Sequence, residues 1–372
     1  MKKILSLLCC VPFLFSIAAC APLPSDDGDI DEPPAIVDPE PDPEPKPDPK
    51  PDPKPDPEPD LDPIVKEHNY LKDTLFTDGF RLSKLDEGAP DYHTKPLVTA
   101  NSGAAPTWTI AQWSSKYDLM EGTRASRFGE YTFTYDKTTP AAKSVSVNTK
   151  TGDLTITLNA EVEYENDRVE NQPWPCVLME QSWYGDELIR IADMQSLTMR
   201  MDYKITKLED KMHGAVNAGL HCAQAVWYVT LQNRNYDSPD YGKYIWFGIL
   251  LYDNRLAGTV SDLFAAEDGG KEENTGAFIY QPSSSEWSET GLVPDVEQAT
   301  ELRFDLLKAA RSAYDLAIER NYLGSTKFDD LYIGSTNFGF EVTGTYNVSA
   351  DFSNLGIIWE EKANKPPAQN KG

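Results

Sequence analysis

The fold of this chain is decided by the stretch Leu154-Thr155-Ile156-Thr157-Leu158-Asn159-Ala160-Glu161-Val162-Glu163-Tyr164-Glu165, in which apolar and polar residues alternate. Successive side chains of a β-strand point to opposite faces, so this period of two predicts a strand with one buried and one solvated face. Val145–Asn148 shows the same alternation, and turn-forming residues fill 149–153. The two runs are therefore predicted to form a β-hairpin.

Similar runs lie on both sides of this hairpin. The further predicted strands are 131–135, Leu188–Ala192, Ser196–Leu208, His221–Gln232, Tyr244–Asp253, Asp330–Ile333, Phe338–Thr345 and Asn347–Ile358. Apolar residues at helical spacing predict one long helix over about Asp295–Tyr322, ending before Gly324. Many alternating strands with a single long helix predict a mainly β protein, an antiparallel β-sandwich of jelly-roll or concanavalin-like type.

The first nineteen residues have the composition of a signal peptide. Lys2 and Lys3 precede the apolar run Leu5–Phe15, which is too short to span a membrane as a mature helix. The residues Ile17-Ala18-Ala19-Cys20 resemble the bacterial lipobox. This resemblance implies cleavage before Cys20, acylation (palmitate) of the new N-terminus and anchoring in a membrane; the alternative is an ordinary secretory signal.

Residues 20–63 form a linker between the lipidated cysteine and a globular domain over 64–372. Every second residue from Pro39 to Pro59 is proline, which excludes helix and favours an extended polyproline-like rod. A disordered tether fits the same composition. Ser25-Asp26-Asp27 resembles the acidic export tag of Bacteroidota lipoproteins, which implies an outer-membrane lipoprotein facing the cell exterior.

Charge and cysteine content bound the partners of the domain. The formal net charge is −26, so nucleic acid is an unfavourable partner because its phosphates would be repelled. Within 64–372 the cysteines are Cys176 and Cys222. In an exported protein they either form a disulfide or are buried separately as small apolar side chains.

We expect neither a cofactor nor a metal, because the sequence contains no motif for either. The four histidines lack metal-ligand spacing, and neither a nucleophile elbow nor a nucleotide-binding loop is present. Glu161, Glu163 and Glu165 would lie on one face of the predicted strand. They resemble the E-x-D-x-E strand of family 16 β-glucanases, with Glu163 in place of the central Asp, which implies catalytic roles for these carboxylates. The alternative is the solvated face of a strand.

Aromatic residues give the clearest indication of a ligand. All eight tryptophans lie in the globular region, and sugars stack their C–H faces on aromatic rings while amides and charged groups bind their hydroxyls. The candidate ligand-binding residues are Gln181, Trp183, Tyr244, Trp246, Tyr252, Asp253 and Arg255. Tyr244, Trp246 and Tyr252 share one predicted strand face, which either lines a cleft or is buried between layers.

The whole arrangement of leader, lipobox, acidic tag, proline-rich linker and aromatic β domain resembles the surface lipoproteins with which Bacteroidota capture glycans. The resemblance implies an oligo- or polysaccharide ligand and leads to a first hypothesis, a binding module without catalytic activity. The alternatives are a glycoside hydrolase or polysaccharide lyase on the same scaffold, or a structural or adhesive surface protein.

Overall fold

The computed structural model describes residues 67–85, 92–101, 103–268 and 275–362. Within these ranges the strands are β1 (His68–Asn69), β2 (Phe80–Leu82), β3 (Trp108–Ala111), β4 (Thr123–Arg127), β5 (Glu130–Tyr135), β6 (Lys143–Asn148), β7 (Asp153–Asn159), β8 (Cys176–Ser182), β9 (Met194–Asp210), β10 (Ala223–Asn233), β11 (Tyr244–Asp253), β12 (Phe264–Glu267), β13 (Phe278–Gln281), β14 (Thr300–Asp305), β15 (Leu331–Val342) and β16 (Tyr346–Glu361). The helices are α1 (Ala160–Glu163), α2 (Ser284–Trp287) and α3 (Leu306–Glu319). None of these described helices is long and apolar enough to cross a membrane. The predicted leader (1–19) and linker (20–63) lie outside the described residues.

The strands form two sheets of eight strands each. Sheet 1 has the spatial order β14-β9-β16-β7-β6-β5-β4, and β1 pairs with β16. Sheet 2 has the order β12-β13-β11-β10-β15-β8-β3-β2. Among the described pairs, β2 with β3 and β11 with β13 are parallel, and the others are antiparallel.

The main core lies between the two sheets, and each sheet contributes alternate residues to it. Leu154 and Ile156 of β7 are buried on sheet 1, and Trp227 of β10 is buried on sheet 2. Phe338 of β15 packs edge-on against Phe352 of β16, with ring centroids 5.3 Å apart. The mainly β sandwich predicted from the alternation is confirmed.

The predicted helix over Asp295–Tyr322 is wrong at its start. Part of that range is β14 at the edge of sheet 1, where Leu302 and Phe304 point into the core with a period of two. α3 begins only after Asp305, whose carboxylate caps the helix by accepting a hydrogen bond from Lys308 N (3.0 Å). Pairing with β9 therefore overrides the helical spacing at Leu302.

The predicted hairpin is confirmed, but its second strand is shorter than predicted. β6 and β7 pair antiparallel with Asn148 opposite Asp153, and Gly152 adopts a left-handed φ of +79° in the turn between them. β7 ends at Asn159, and the residues that follow form α1. The alternation from 160 to Glu165 is therefore not a strand face.

Candidate functional site

Sheet 2 has a face that points away from the main core, which we call the outer face. It carries a second buried apolar cluster made of Ala111, Cys176, Leu178, Val226, Tyr228, Trp246, Leu250 and Ile279. Trp113 and Tyr244 are partly buried and pack against this cluster. Apolar and aromatic surface with a few polar groups is typical of small-ligand sites, so the outer face is the candidate binding surface.

A row of polar side chains crosses the outer face perpendicular to the strands. We define the polar row as Arg81 (β2), Thr109 (β3), Glu180 (β8), Asn337 (β15), Tyr228 (β10) and Gln281 (β13). The first five are successive cross-strand partners, and Gln281 Nε2 donates a hydrogen bond to Tyr228 Oη (2.5 Å). Cross-strand side chains lie about 5 Å apart, so six strands present one continuous polar line.

Glu180 is the buried carboxyl group of the polar row. It is 7% exposed, and burial raises its pKa from 4.5 to about 8 although the Arg81 guanidinium acts in the opposite direction. The group is therefore largely protonated at neutral pH and can donate a hydrogen bond. Nearby Tyr92 is 37% exposed and Tyr184 is 62% exposed, and the Arg81 guanidinium lies 5.5 Å from the Tyr92 ring centre. This end of the polar row is lined by solvent-exposed aromatic rings.

The middle of the polar row carries acceptor oxygens without donors. Gly248 lies opposite Tyr228 and leaves room for its ring, because a Cβ at this position would come within 2.3 Å of Tyr228 Cε1. The ring thus extends across β11 toward Gln281. Asn337 Oδ1 and Gln281 Oε1 are buried and accept no hydrogen bond from the described residues. Unpaired buried acceptors are rare because they are destabilising, so these two oxygens call for a donor that the described residues do not supply.

Tyr244 and Trp246 lie on the outer face beside the polar row, on the strand face predicted for them. Trp246 is 3% exposed, and its ring packs edge-on against Tyr228 and Tyr244 at centroid distances of 6.0 and 5.1 Å. Its Nε1 lies 3.4 Å from Thr275 Oγ1. Trp246 is therefore part of the support under the face, while Tyr244 is partly exposed at its edge.

Tyr252 does not share that face, which corrects the sequence prediction. The register of β10 with β11 shifts between Ala225 and Val226, and this β-bulge turns Tyr252 into the main core. The residues after it, Asp253 and Arg255, form a buried ion pair in which Arg255 Nε lies 2.9 Å from Asp253 Oδ1. These two side chains pair with each other at the end of β11 and do not belong to the polar row.

Gln181 and Trp183 point away from the outer face, since their neighbour in the strand, Glu180, points toward it. Gln181 Oε1 accepts from Lys72 N (2.8 Å) and its Nε2 donates to Lys72 O (3.0 Å). Trp183 packs edge-on against Tyr70 at 4.6 Å in the main core. The predicted ligand-binding residues are thus not brought together. Sequence reasoning missed Glu180, whose signal is a carboxylate directly after the apolar run Cys176–Met179 of the same strand.

A second polar group lies further along the outer face. Glu341 of β15 is directly opposite Gln224 of β10, and Gln224 Nε2 donates to Asp253 Oδ2 (2.7 Å). All three side chains are buried. The cross-strand neighbour of the Glu341 carboxylate on β10 is therefore an amide, which cannot act as a nucleophile or as a general acid at ordinary pH.

The three predicted catalytic carboxylates do not share a strand face, because the chain turns into α1 there. Glu161 accepts a hydrogen bond from Asn347 Nδ2 (2.6 Å). Glu163 is buried and accepts from Ser115 Oγ (2.5 Å), whereas Glu165 is exposed. The arrangement implied by the family 16 resemblance is absent.

Cys176 and Cys222 are not joined by a disulfide and are buried separately. β15 lies between β8, which begins with Cys176, and β10, which follows Cys222. Two strand spacings amount to about 10 Å, beyond the Cα separation that a disulfide spans. Cys222 Sγ contacts Thr343 Oγ1 at 3.2 Å.

Other concave regions lie against sheet 1. A groove of about 720 Å³ is bordered by Thr155, Lys204 and Asp351, and one of about 580 Å³ lies between β9 and α3. Neither groove contains a residue of the polar row. Within the described ranges, no group of three or more His, Cys, Asp or Glu side chains is arranged to hold a metal ion.

No family model and no curated protein matches this chain. Among solved structures, the family 12 xyloglucanase from Bacillus licheniformis is similar at 12% identity and a TM-score of 0.38, over 64% of this chain and 97% of the other. An endoglucanase from Rhodothermus marinus is similar at 13% identity and a TM-score of 0.33, over 68% of this chain and 100% of the other. The xyloglucanase domain of a type three effector from Sinorhizobium fredii, in complex with cellobiose, is similar at 9% identity and a TM-score of 0.34, over 64% and 96%. TM-scores of this size do not establish a common fold, and the assignment as a β-sandwich rests on the two sheets of this chain.

Proposed function

We propose that this chain is a lipid-anchored outer-membrane protein that binds carbohydrate at the cell surface, through the outer face of sheet 2 and without cleaving it. The observation that carries the binding site is the polar row, in which Asn337 and Gln281 each hold a buried acceptor oxygen that has no donor among the described residues. A sugar supplies hydroxyl donors for both oxygens. Folding alone gains nothing from leaving them unpaired.

The remaining groups of the polar row complement a sugar ring. Protonated Glu180 donates a hydrogen bond to a sugar oxygen. The exposed rings of Tyr92 and Tyr184 offer flat apolar surface for the C–H face of a pyranose. Arg81 adds a guanidinium with several donors beside Tyr92. Together these groups favour a neutral or anionic oligosaccharide.

The spacing of carboxyl groups favours binding over cleavage. Retaining glycosidases need two carboxyl groups about 5–5.5 Å apart, and inverting enzymes about 6.5–9.5 Å. Gln224 stands between Glu341 and Asp253 in the sheet, so the backbones of these two carboxylates lie two strand spacings, about 10 Å, apart, and Asp253 is held in an ion pair with Arg255. Glu180 is opposite Asn337, four residues along β15 from Glu341, a backbone separation of roughly 13 Å.

A glycan-cleaving enzyme is the second candidate, favoured by one observation. A carboxyl group that stays protonated near neutral pH, as Glu180 does, is what a general acid requires. Retardation of the purified full-length protein in gels containing a panel of polysaccharides, combined with product analysis, separates the candidates. Retardation without new reducing ends or unsaturated products supports binding. Products would establish the enzyme, and neither effect with any glycan would leave a structural or adhesive protein.

The membrane anchor is tested at Cys20. The Cys20→Ala variant is expected to leave the membrane fraction and to collect in the soluble fraction, because the residue that carries the acyl chains is gone. Protease added to intact cells is expected to degrade the unmodified protein if it faces the exterior. Unchanged membrane association of the Cys20→Ala variant would contradict the anchor.

A further inference from the structure

Lys143 is a fully buried amine between the two sheets. It belongs to β6, is 0% exposed, and forms no ion pair with a described carboxylate. Nζ contacts Ser115 Oγ (2.5 Å) and Gln112 Oε1 (3.5 Å). Burial lowers the pKa of this amine from 10.5 to about 8. A buried ammonium without a counter-ion is destabilising, so this position favours a neutral nitrogen.

The side-chain amide of Gln112 is fixed beside this amine. Gln112 follows β3 of sheet 2 and is fully buried. Its Oε1 accepts a hydrogen bond from Leu119 N (3.0 Å), and its Nε2 donates to Ser83 O (2.9 Å) and Asp118 Oδ1 (2.8 Å). A backbone N–H on the carbonyl oxygen polarises the amide carbon toward attack. That carbon is one C=O bond, about 1.23 Å, from an oxygen that already contacts Nζ.

A path for the amine proton leads from Lys143 to a carboxylate. Ser115 Oγ accepts from Lys143 Nζ and donates to Glu163 Oε1 (2.5 Å). Glu163 Oε2 accepts from Lys116 N (2.7 Å). Lys143, Ser115 and Glu163 are all buried, so water does not compete for the proton along this path.

We propose that Lys143 and Gln112 form an intramolecular isopeptide bond that links sheet 1 to sheet 2. The ammonium of Lys143 passes one proton through Ser115 to Glu163, and the neutral amine attacks Cδ of Gln112. The new Nζ–Cδ bond forms, the Cδ–Nε2 bond breaks, and the second amine proton leaves with Nε2 as ammonia. Ammonia then takes the proton from Glu163 and departs as ammonium, so the step needs no oxidant, reductant or added co-reactant.

The bond accounts for a charge that is otherwise unexplained. The product replaces a buried ammonium by a neutral secondary amide, whose C=O keeps Leu119 N as its donor and whose N–H has Ser115 Oγ as an acceptor. Holding amine and amide together in one buried site supplies the proximity without which this reaction is slow in water. Glu163 acts through Ser115 and is a positioning and proton-accepting residue.

Peptide mapping of the full-length protein tests the bond. The denatured protein is digested and analysed by mass spectrometry. A cross-linked species is expected that contains the Gln112 and Lys143 peptides and is lighter by one ammonia than their sum. Lys207 is the internal control, because its Nζ also contacts a side-chain amide oxygen, Asn159 Oδ1 (3.1 Å), but is solvent-accessible; it is expected to stay unlinked. Recovery of Gln112 and Lys143 only in separate linear peptides would overturn the proposal.

Variants of Glu163 test the proton path. Glu163→Gln is expected to fold, as judged by its circular dichroism, and to yield linear peptides, because the proton acceptor is lost. Glu163→Asp keeps a carboxylate and is expected to restore a measurable fraction of the cross-link. Full cross-linking in Glu163→Gln would contradict the role of Glu163, and the wild-type map tests the bond itself whether or not these variants fold.

Discussion

Glu180 is the residue whose protonation state matters most for the proposed binding at the outer face. Its folded-state pKa of about 8 lies above the ordinary value of 4.5, so the folded protein binds more protons than the unfolded chain between these two values. Stability therefore falls as the pH rises from about 4.5 to about 8 and is insensitive to this group outside that window. Binding that uses Glu180 as a donor is expected to weaken over the upper part of the same range.

The Glu180→Gln variant removes this titration. Melting temperatures of the variant and the wild type are measured against pH, and the variant's melting temperature relative to that of the wild type is expected to rise progressively from pH 4.5 to 8. The gain corresponds to several kcal/mol and at most about 5. Glu165→Gln is a matched control at an exposed position and is expected to leave the profile unchanged. A constant difference between Glu180→Gln and wild type across this window would contradict a raised pKa at Glu180.

At the same scale, sequence periodicity predicted the position of some side chains and failed for others. Trp246 lies on the face predicted from alternation, and the β-bulge next to Val226 moves Tyr252 off it. Glu163 leaves its predicted face because buried donors such as Ser115 Oγ draw it inward. A bulge and a long-range hydrogen bond are tertiary effects, so neither is visible in a local pattern.

At the scale of elements, the strands with continuous alternation were the most predictable. β11 has the predicted bounds, Tyr244–Asp253. β15 is one strand over Leu331–Val342, although the polar residues in its middle led us to predict two separate strands, Asp330–Ile333 and Phe338–Thr345. Ser335 bonds Thr230 Oγ1 (3.0 Å) and Asn337 belongs to the polar row, so the residues that interrupt the apolar pattern are those that build the outer face. Leu188–Ala192, predicted as a strand, instead leads into a short 3₁₀ turn.

The contact between β10 and β11 at Gly248 determines how the Tyr228 ring lies on the sheet. Gly248→Ala places a methyl group about 2.3 Å from Tyr228 Cε1, so the ring must move and its hydrogen bond with Gln281 is lost. The variant is expected to lose roughly 1–3 kcal/mol of stability and most of its glycan retention in gels. Gly324→Ala meets no atom within 4 Å and is the matched control. Full retention in Gly248→Ala would show that the position of the Tyr228 ring is irrelevant to binding.

At the scale of the whole molecule, the two sheets share one core, and the proposed binding site lies on the outer face of sheet 2. The faces turned toward each other form the main core. The outer face of sheet 2 carries the second apolar cluster and the polar row across it. The sequence pattern was sufficient to predict a sandwich, but not the polar row on its outer face, because that row is assembled from six strands, most of them distant from one another in the chain. The lipid anchor at Cys20 remains a prediction.

Asn337→Leu tests the central claim most directly, because it removes the unpaired acceptor while keeping a similar side-chain volume. The wild type is expected to be retarded by its glycan. The variant is expected to lose this retardation while its melting temperature stays equal or rises, since a buried unpaired amide destabilises by about 1–3 kcal/mol.

Asn347→Leu is the matched control for this measurement. Asn347 is buried on sheet 1, and its Nδ2 is paired with Glu161 and Glu209, so this variant is expected to lose stability and keep binding. Retardation of Asn337→Leu equal to that of the wild type, or binding lost only together with a large fall in melting temperature, would contradict glycan binding at the outer face.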